Sequence, residues 1–189
     1  MNITFVGPRS VGKTTVSKIV SKMLKKKYIS SDEIGEKALK KYGGLDRAIK
    51  SGKIKEVINS GGYSLILKVY STEKNFVFDL SAGAFTSKSM NEASKEVRGF
   101  AKKNSFIVGL LPSKNFLTSV IFLFNRERKR THFKDTNKIK LLYKTFRKYG
   151  HIKKVILTNA NSIVYVKNKS PEKIAKEILS KIKLYNKIK

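Results

Sequence analysis

The chain has 189 residues, long enough for one domain with a sizeable core, and a formal net charge of +29 at pH 7 from 42 basic and 13 acidic residues. It contains no cysteine, which excludes disulfides and thiolate metal sites and fits a reducing cytoplasm. Its apolar runs are too short to cross a bilayer, so a soluble cytoplasmic protein with no membrane partner is expected.

An apolar run, Ile3 to Val6, reads as the first strand. Gly7-Pro8-Arg9-Ser10-Val11-Gly12-Lys13-Thr14 follows it and opens into a helix-patterned segment at Thr15. Strand before and helix after are what a phosphate-binding loop requires. Glycines at the first and sixth positions let the backbone turn tightly and point successive N–H groups inward, and the helix N-terminus adds positive partial charge where an anion sits. In such a loop Lys13 reaches the β- and γ-phosphates and the Thr14 hydroxyl takes one place on Mg²⁺. The alternative is a glycine-rich turn that binds nothing.

The first helix is expected from Lys13 to about Lys27, since Val16, Ile19, Val20, Met23 and Leu24 form an apolar stripe. Tyr28 to Ser31 reads as a second, extended piece ending at Asp32-Glu33, and the strand, helix, strand order implies a parallel pair. Residues 33 to 72 read as interrupted helix, cut by Gly43-Gly44, Gly52 and Gly61-Gly62. Asn75 to Leu80 is the next strand. It carries Asp79 at its end, where a strand beside the loop offers a carboxylate to Mg²⁺ or its waters, or where an Asp merely caps the next turn. Ser81-Ala82-Gly83-Ala84 reads as a small-residue turn that lets a ligand approach the backbone.

A helix around Met90 to Lys102 leads to a strand at Phe106 to Leu111, ending at Pro112, and Asn115 to Phe124 reads as helical. Arg126, Arg128 and Arg130 then fall within five residues of a chain that holds only seven Arg. The planar guanidinium matches phosphate oxygens, so this cluster says more than the net charge does. A solvated helix face is the plainer reading. The remaining thirty-five basic residues are Lys dispersed over nearly every segment. With no recognition motif beside them they read as solvated surface in preference to a nucleic-acid interface. Ile163 to Val166 is a fifth strand, and Ser170 with Pro171 starts a last helix carrying Ile174, Ile178, Leu179 and Ile182, expected to fray after Lys183. His132 and His151 have no metal-ligand spacing around them.

This order of elements resembles shikimate kinase and the related small-molecule kinases of the nucleoside-monophosphate-kinase-like group of P-loop proteins. The likeness is most specific at Gly7 to Thr15, in Tyr28-Ile29-Ser30-Ser31-Asp32, and at Ala160 to Leu179. It implies a three-layer α/β fold with a five-stranded parallel sheet of order 2-3-1-4-5, helices on both faces, and a lid closing over ATP. One domain spans 1 to 189, with 33 to 72 as a substrate-binding insertion and 125 to 147 as the lid region. The resemblance places Gly7 to Thr15 and the lid residues Arg126 and Arg128 on ATP, Lys13, Asp32, Arg126 and Arg130 in catalysis, and Asp32, Ser81, Ala82, Gly83 and Arg147 at the acceptor. Of the family's Asp-x-Asp after the second strand, Asp32 is kept and Ser30 replaces the first Asp, so Thr14, Ser30 and Asp79 are the expected metal set. The family's Phe-Arg-x-x-Glu element has no counterpart near Asn59 to Tyr63.

These residues imply an ATP- and Mg²⁺-dependent kinase, a monomer, acting on a hydroxyl of a small anionic metabolite. Three other readings stand beside it. They are a nucleoside monophosphate kinase, a nucleotide-dependent nucleic-acid-binding protein using the +29 surface, and a binder that holds nucleotide without turnover.

Overall fold

A computed structural model describes residues 1–40, 43, 63–130 and 137–188. In chain order its elements are β1 (Asn2–Val6), α1 (Lys13–Met23), β2 (Lys27–Ser30), α2 (Ser31–Leu39), α3 (Tyr63–Thr72), β3 (Phe76–Asp79), α4 (Ala82–Thr86), α5 (Asn91–Asn104), β4 (Ser105–Leu111), α6 (Phe116–Glu127), α7 (Lys138–Asn159), β5 (Ser162–Tyr165) and α8 (Pro171–Ile188). The five strands form one parallel sheet in the order β2-β3-β1-β4-β5, as the resemblance implies. Its central strands are apolar and buried along nearly their whole length, because helices cover both faces.

Alternation along the strands assigns the two faces. Ile3, Phe5, Val77 and Asp79 look toward α1, which packs against β3 and α8. Thr4, Phe76 and Phe78 look the other way, toward α3, where the Tyr70 ring meets both phenylalanines edge-on at 6.0 and 5.5 Å. The buried Tyr70 hydroxyl finds Thr4 Oγ1 at 3.1 Å, so a large aromatic is buried with no polar atom left unsatisfied. Gly109 in β4 allows α7 to lie close: a Cβ there would fall 2.6 Å from both Ile156 Cγ2 and Ile163 Cδ1.

Several sequence-based boundaries move. The first helix stops at Met23, four residues short of Lys27, because Lys25 adopts a left-handed φ of 50° and Ser21 closes the turn with bonds to Lys26. The small-residue turn after β3 is a one-turn helix, α4, capped by Ser81 Oγ accepting from Ala84 N–H. The last helix does not fray after Lys183 but runs to Ile188, with Tyr185 stacked on Phe106 at 4.7 Å. The 22-residue α7 has no counterpart among the expectations. The expected lid of 125–147 spans the end of one helix and the start of the next. Residues up to Glu127 close α6 and those from Lys138 open α7, while 131–136, with His132, lie outside the described residues. Gly44, Gly52, Gly61 and Gly62 lie outside them too, as does most of the 33–72 insertion between α2 and α3. No helix among the described residues is long and apolar enough to cross a membrane.

Because the Gly109 contact is with well-packed side chains on two elements, Gly109→Ala is expected to destabilise the protein by about 1–3 kcal/mol. Thermal unfolding should show it as a Tm lower by several degrees, and an unchanged Tm would mean that α7 is not held as closely as described.

Candidate active site

The loop runs from the carboxyl end of β1 to the first turn of α1, and two backbone requirements explain its glycines. A Cβ on Gly7 would sit 2.7 Å from the Leu110 carbonyl oxygen, so only glycine lets the loop leave the sheet this close to β4. Gly12 has a φ of 104° and immediately precedes Lys13, the first residue of α1. The loop therefore sits on the helix N-terminus at the carboxyl ends of the strands, where open α/β sheets bind ligands.

Register brings the acidic candidates to it. Phe5 pairs with Asp79 and Ser30 pairs with Asp79, so β1, β2 and β3 end level with one another. The Thr14 hydroxyl donates to Asp79 Oδ2 at 2.6 Å, and the Tyr28 hydroxyl donates to the same oxygen at 3.4 Å. Ser31 Oγ ties the two neighbouring strand ends together, donating to the Asp79 carbonyl at 3.1 Å and accepting from Ser81 N–H at 2.8 Å. Ser30 caps α2, its Oγ accepting from Glu33 N–H, and Asp32 stands exposed in the first turn of that helix. Thr14 and Asp79 thus present hard oxygen donors of the kind Mg²⁺ takes, one hydroxyl and one carboxylate. No group of three or more metal-binding side chains occurs among the described residues.

The charges converge on Lys13. Its Nζ donates to the carbonyls of Gly7 at 3.1 Å and Pro8 at 3.4 Å. Burial lowers its pKa from the usual lysine value. Asp79 and then Asp32 oppose that shift, while Arg130 and Arg9 add to it. All four therefore act on one ammonium. Arg126, in the last turn of α6, donates from Nη1 to the carbonyls of Ser10 and Val11 at 3.3 and 3.4 Å, with its guanidinium 4.3 Å from the Phe122 ring. Arg128 forms the exposed end of α6. Thr15 is exposed in the first turn of α1.

Arg147 is placed differently from the other candidates, exposed on α7 with its guanidinium 5.7 Å from the Tyr143 ring. Its neighbour Lys148, which the sequence did not single out, is likewise exposed on α7. Partial burial first, then Lys144 and Arg9, hold its pKa below the usual value, and Glu127 opposes them. Thr145, three residues before it, donates from its hydroxyl to Glu127 Oε2 at 3.1 Å. Around α4, Ser81, Ala82 and Gly83 lie beside open space, since a Cβ on Gly83 would meet nothing within 4 Å. Two residues not foreseen for this role anchor that helix: Arg98 Nη1 donates to the Phe85 carbonyl at 2.7 Å, and His151 Nε2 lies 2.9 Å from the Thr86 carbonyl. A cavity of about 440 Å³ adjoins the loop through Arg126, lined by Thr118, Ile121, Phe122, Asn125, Lys129 and Lys167.

No family model and no curated protein matches the chain. Among solved structures, shikimate kinase from Acinetobacter baumannii, in complex with shikimate, is 21% identical over 100% of this chain and 95% of its own, with a TM-score of 0.70. Shikimate kinase from Bacteroides thetaiotaomicron is 15% identical over 98% of each chain at a TM-score of 0.74. A gluconokinase from Sinorhizobium meliloti is 15% identical over 97% of this chain and 92% of its own at 0.58. The chain has the fold of these small-molecule kinases.

Tyr28 offers a test of the charge geometry. Burial, and after it the Asp79 carboxylate, push its pKa up to about 12. Below pH 10 its phenol is neutral whether the chain is folded or unfolded. Between about pH 10 and 12 the unfolded form ionises first, so this group makes stability fall as pH rises. The difference between the 295 nm absorbance titrations of the wild type and Tyr28→Phe should show a single step near pH 12, and a difference step at the ordinary tyrosine pH would contradict the burial of Tyr28 beside Asp79.

Proposed function

We propose that this protein is an ATP-dependent phosphotransferase that phosphorylates a hydroxyl of a small, anionic acceptor. The observation that carries the reading is the glycine-bounded loop on the N-terminus of α1, with Lys13 bonded to the Gly7 carbonyl and Thr14 bonded to Asp79 at 2.6 Å. Phosphoryl transfer asks mainly for positioning and charge neutralisation, and that set divides the work.

Loop amides from Arg9 to Thr14 face the β- and γ-phosphates, and Lys13 exchanges its bonds to the Gly7 and Pro8 carbonyls for phosphate oxygens. A bound Mg²⁺ would neutralise charge that develops on the phosphates during transfer. Thr14 and Asp79 would hold it, with Ser30 and Tyr28 behind the carboxylate. Asp32, exposed at the head of α2, orients the acceptor hydroxyl and takes its proton as that oxygen bonds the γ-phosphorus and the bond from the γ-phosphorus to the β–γ bridging oxygen breaks, releasing ADP. Arg130 neutralises the transferring group. Arg126 stiffens the loop from behind, and the cavity beside it is of a size to take the nucleotide base. Arg128 extends from that same helix end. Residues Ser81 to Gly83 lie at the open end of α4, beside Ser31, where an acceptor reaches the backbone. Arg147 on α7, with Lys148 beside it, would meet an acceptor anion. The kinase fold of neighbours named for small-molecule acceptors supports the reading, and a cytoplasmic enzyme fits the cysteine-free chain.

An ATP-consumption assay against hydroxy acids, sugars and nucleoside monophosphates tests this directly. One acceptor should stimulate turnover, and Lys13→Ala should lower kcat on it by about 10²-fold or more. Asp32→Asn should lower kcat by about 10²- to 10⁴-fold with little change in ATP affinity. Near-normal ATP consumption by Lys13→Ala would refute the assignment.

A further inference from the structure

Helix α7 is seated on the domain by a narrow contact. Between Leu141 and Tyr149 only every fourth residue, Leu141, Thr145 and Tyr149, is buried, and the three residues between each pair stand exposed. Four exposed residues in the first half of the helix are apolar: Ile139 at 79% exposure, Tyr143 at 60%, Phe146 at 46% and Leu142 at 40%. At about 100° per residue they fall on one stripe. The Phe146 ring meets Phe116 edge-on at 5.1 Å, so the stripe continues onto the first turn of α6, where Leu117 is 60% exposed. A contiguous apolar surface of this kind marks a place where something docks.

The stripe does not face the candidate active site. His151, whose Nε2 lies 2.9 Å from the Thr86 carbonyl, marks the side of α7 that looks toward α4, and it is about 120° around the helix from Ile139. Charge says what would cover the stripe. Helix α7 carries seven Lys or Arg and no acidic residue, and Lys140 and Lys154 border the stripe along one side. A second copy of the chain would set like charges against each other. A nucleic acid would match the charge, but Ile139 and Leu142 have no ring on which a base can stack. A protein groove that encloses an amphipathic helix is blocked, because Leu141, Thr145 and Tyr149 hold the other side of α7 to the domain. A flat anionic lipid surface suits both features: it takes up aliphatic and aromatic side chains at headgroup depth and attracts the lysines beside them.

We propose that α7 and the first turn of α6 form a membrane-docking surface for bilayers carrying anionic headgroups. Ile139, Leu142, Tyr143 and Phe146 enter the interface, and Lys140 and Lys154 lie beside the headgroup phosphates. No helix among the described residues is long and apolar enough to cross a bilayer; this one lies along its surface. Docking of this kind needs no nucleotide and is independent of the phosphotransfer chemistry.

Flotation of the full chain with vesicles of phosphatidylcholine, with and without phosphatidylserine, tests the surface. The wild type should float with the anionic vesicles only, and added salt should weaken the binding. The double variant Ile139→Gln, Leu142→Gln should bind about tenfold more weakly or worse, and so should Lys140→Gln, Lys154→Gln. All four side chains are exposed, so both double variants should keep the wild-type Tm. The chain has no tryptophan, and Tyr143→Trp therefore supplies a single reporter whose emission should shift to the blue on anionic vesicles. Wild-type binding by Ile139→Gln, Leu142→Gln would mean that net charge alone holds the lipid, and the docking surface would be refuted. Failure to float, or an unshifted emission from Tyr143→Trp, would refute it equally. Tighter binding of single-stranded RNA that the same double variants weaken would assign the stripe to nucleic acid instead. A dimer in light scattering that Ile139→Gln, Leu142→Gln dissociates would assign it to a second copy.

Discussion

The 2.6 Å bond from Thr14 to Asp79 joins segments 65 residues apart and fixes the relation of the loop to the sheet. It exists only because β1 and β3 are parallel neighbours in a register that sets Phe5 beside Asp79. A slip of one residue would turn Asp79 onto the opposite face, among the rings of Tyr70, Phe76 and Phe78, and leave a carboxylate buried without a partner. Packing of the aromatic face and placement of the acidic group are thus one constraint. Ser31 extends it, bonding β3 and the start of α4 to the head of α2, so that Asp32 is carried to the same end of the sheet.

Positive charge has a different meaning inside and outside this region. Over most of the surface lysines stand exposed, and ion pairs such as Lys95–Glu92 and Lys27–Glu73 lie in solvent, where they contribute little. Around the loop, Arg130 and Arg9 both act on Lys13. Arg9 also depresses Lys148. Their mutual repulsion is a cost that a polyphosphate would relieve, which makes the cluster a better guide to function than the +29 total.

Legibility followed the range of the interactions. The phosphate loop was plain because its requirements are local: Gly7 must clear the Leu110 carbonyl and Gly12 must reach a φ of 104°. The strands were read to within a residue or two from their apolar runs. Helix α7 escaped, although Leu141, Thr145, Tyr149, Ile152 and Ile156 keep helical spacing, because interleaved lysines, Gly150 and His151 dilute its apolar face. Asn137, which caps it through bonds to the N–H groups of Ile139 and Lys140, was the local sign available.

What the sequence determined by itself was the strand, loop and helix at its start, the parallel α/β class, and the residue types able to meet a phosphate, since each depends on spacing within a few residues. Tertiary structure alone decided which distant groups share the site. Asp79 reached Thr14, Arg126 gripped the loop, and Ser10 was left with a hydroxyl that no loop carbonyl takes. Those outcomes depend on strand register and helix rotation, which are set by burial of whole faces across the chain and leave no mark at any single position.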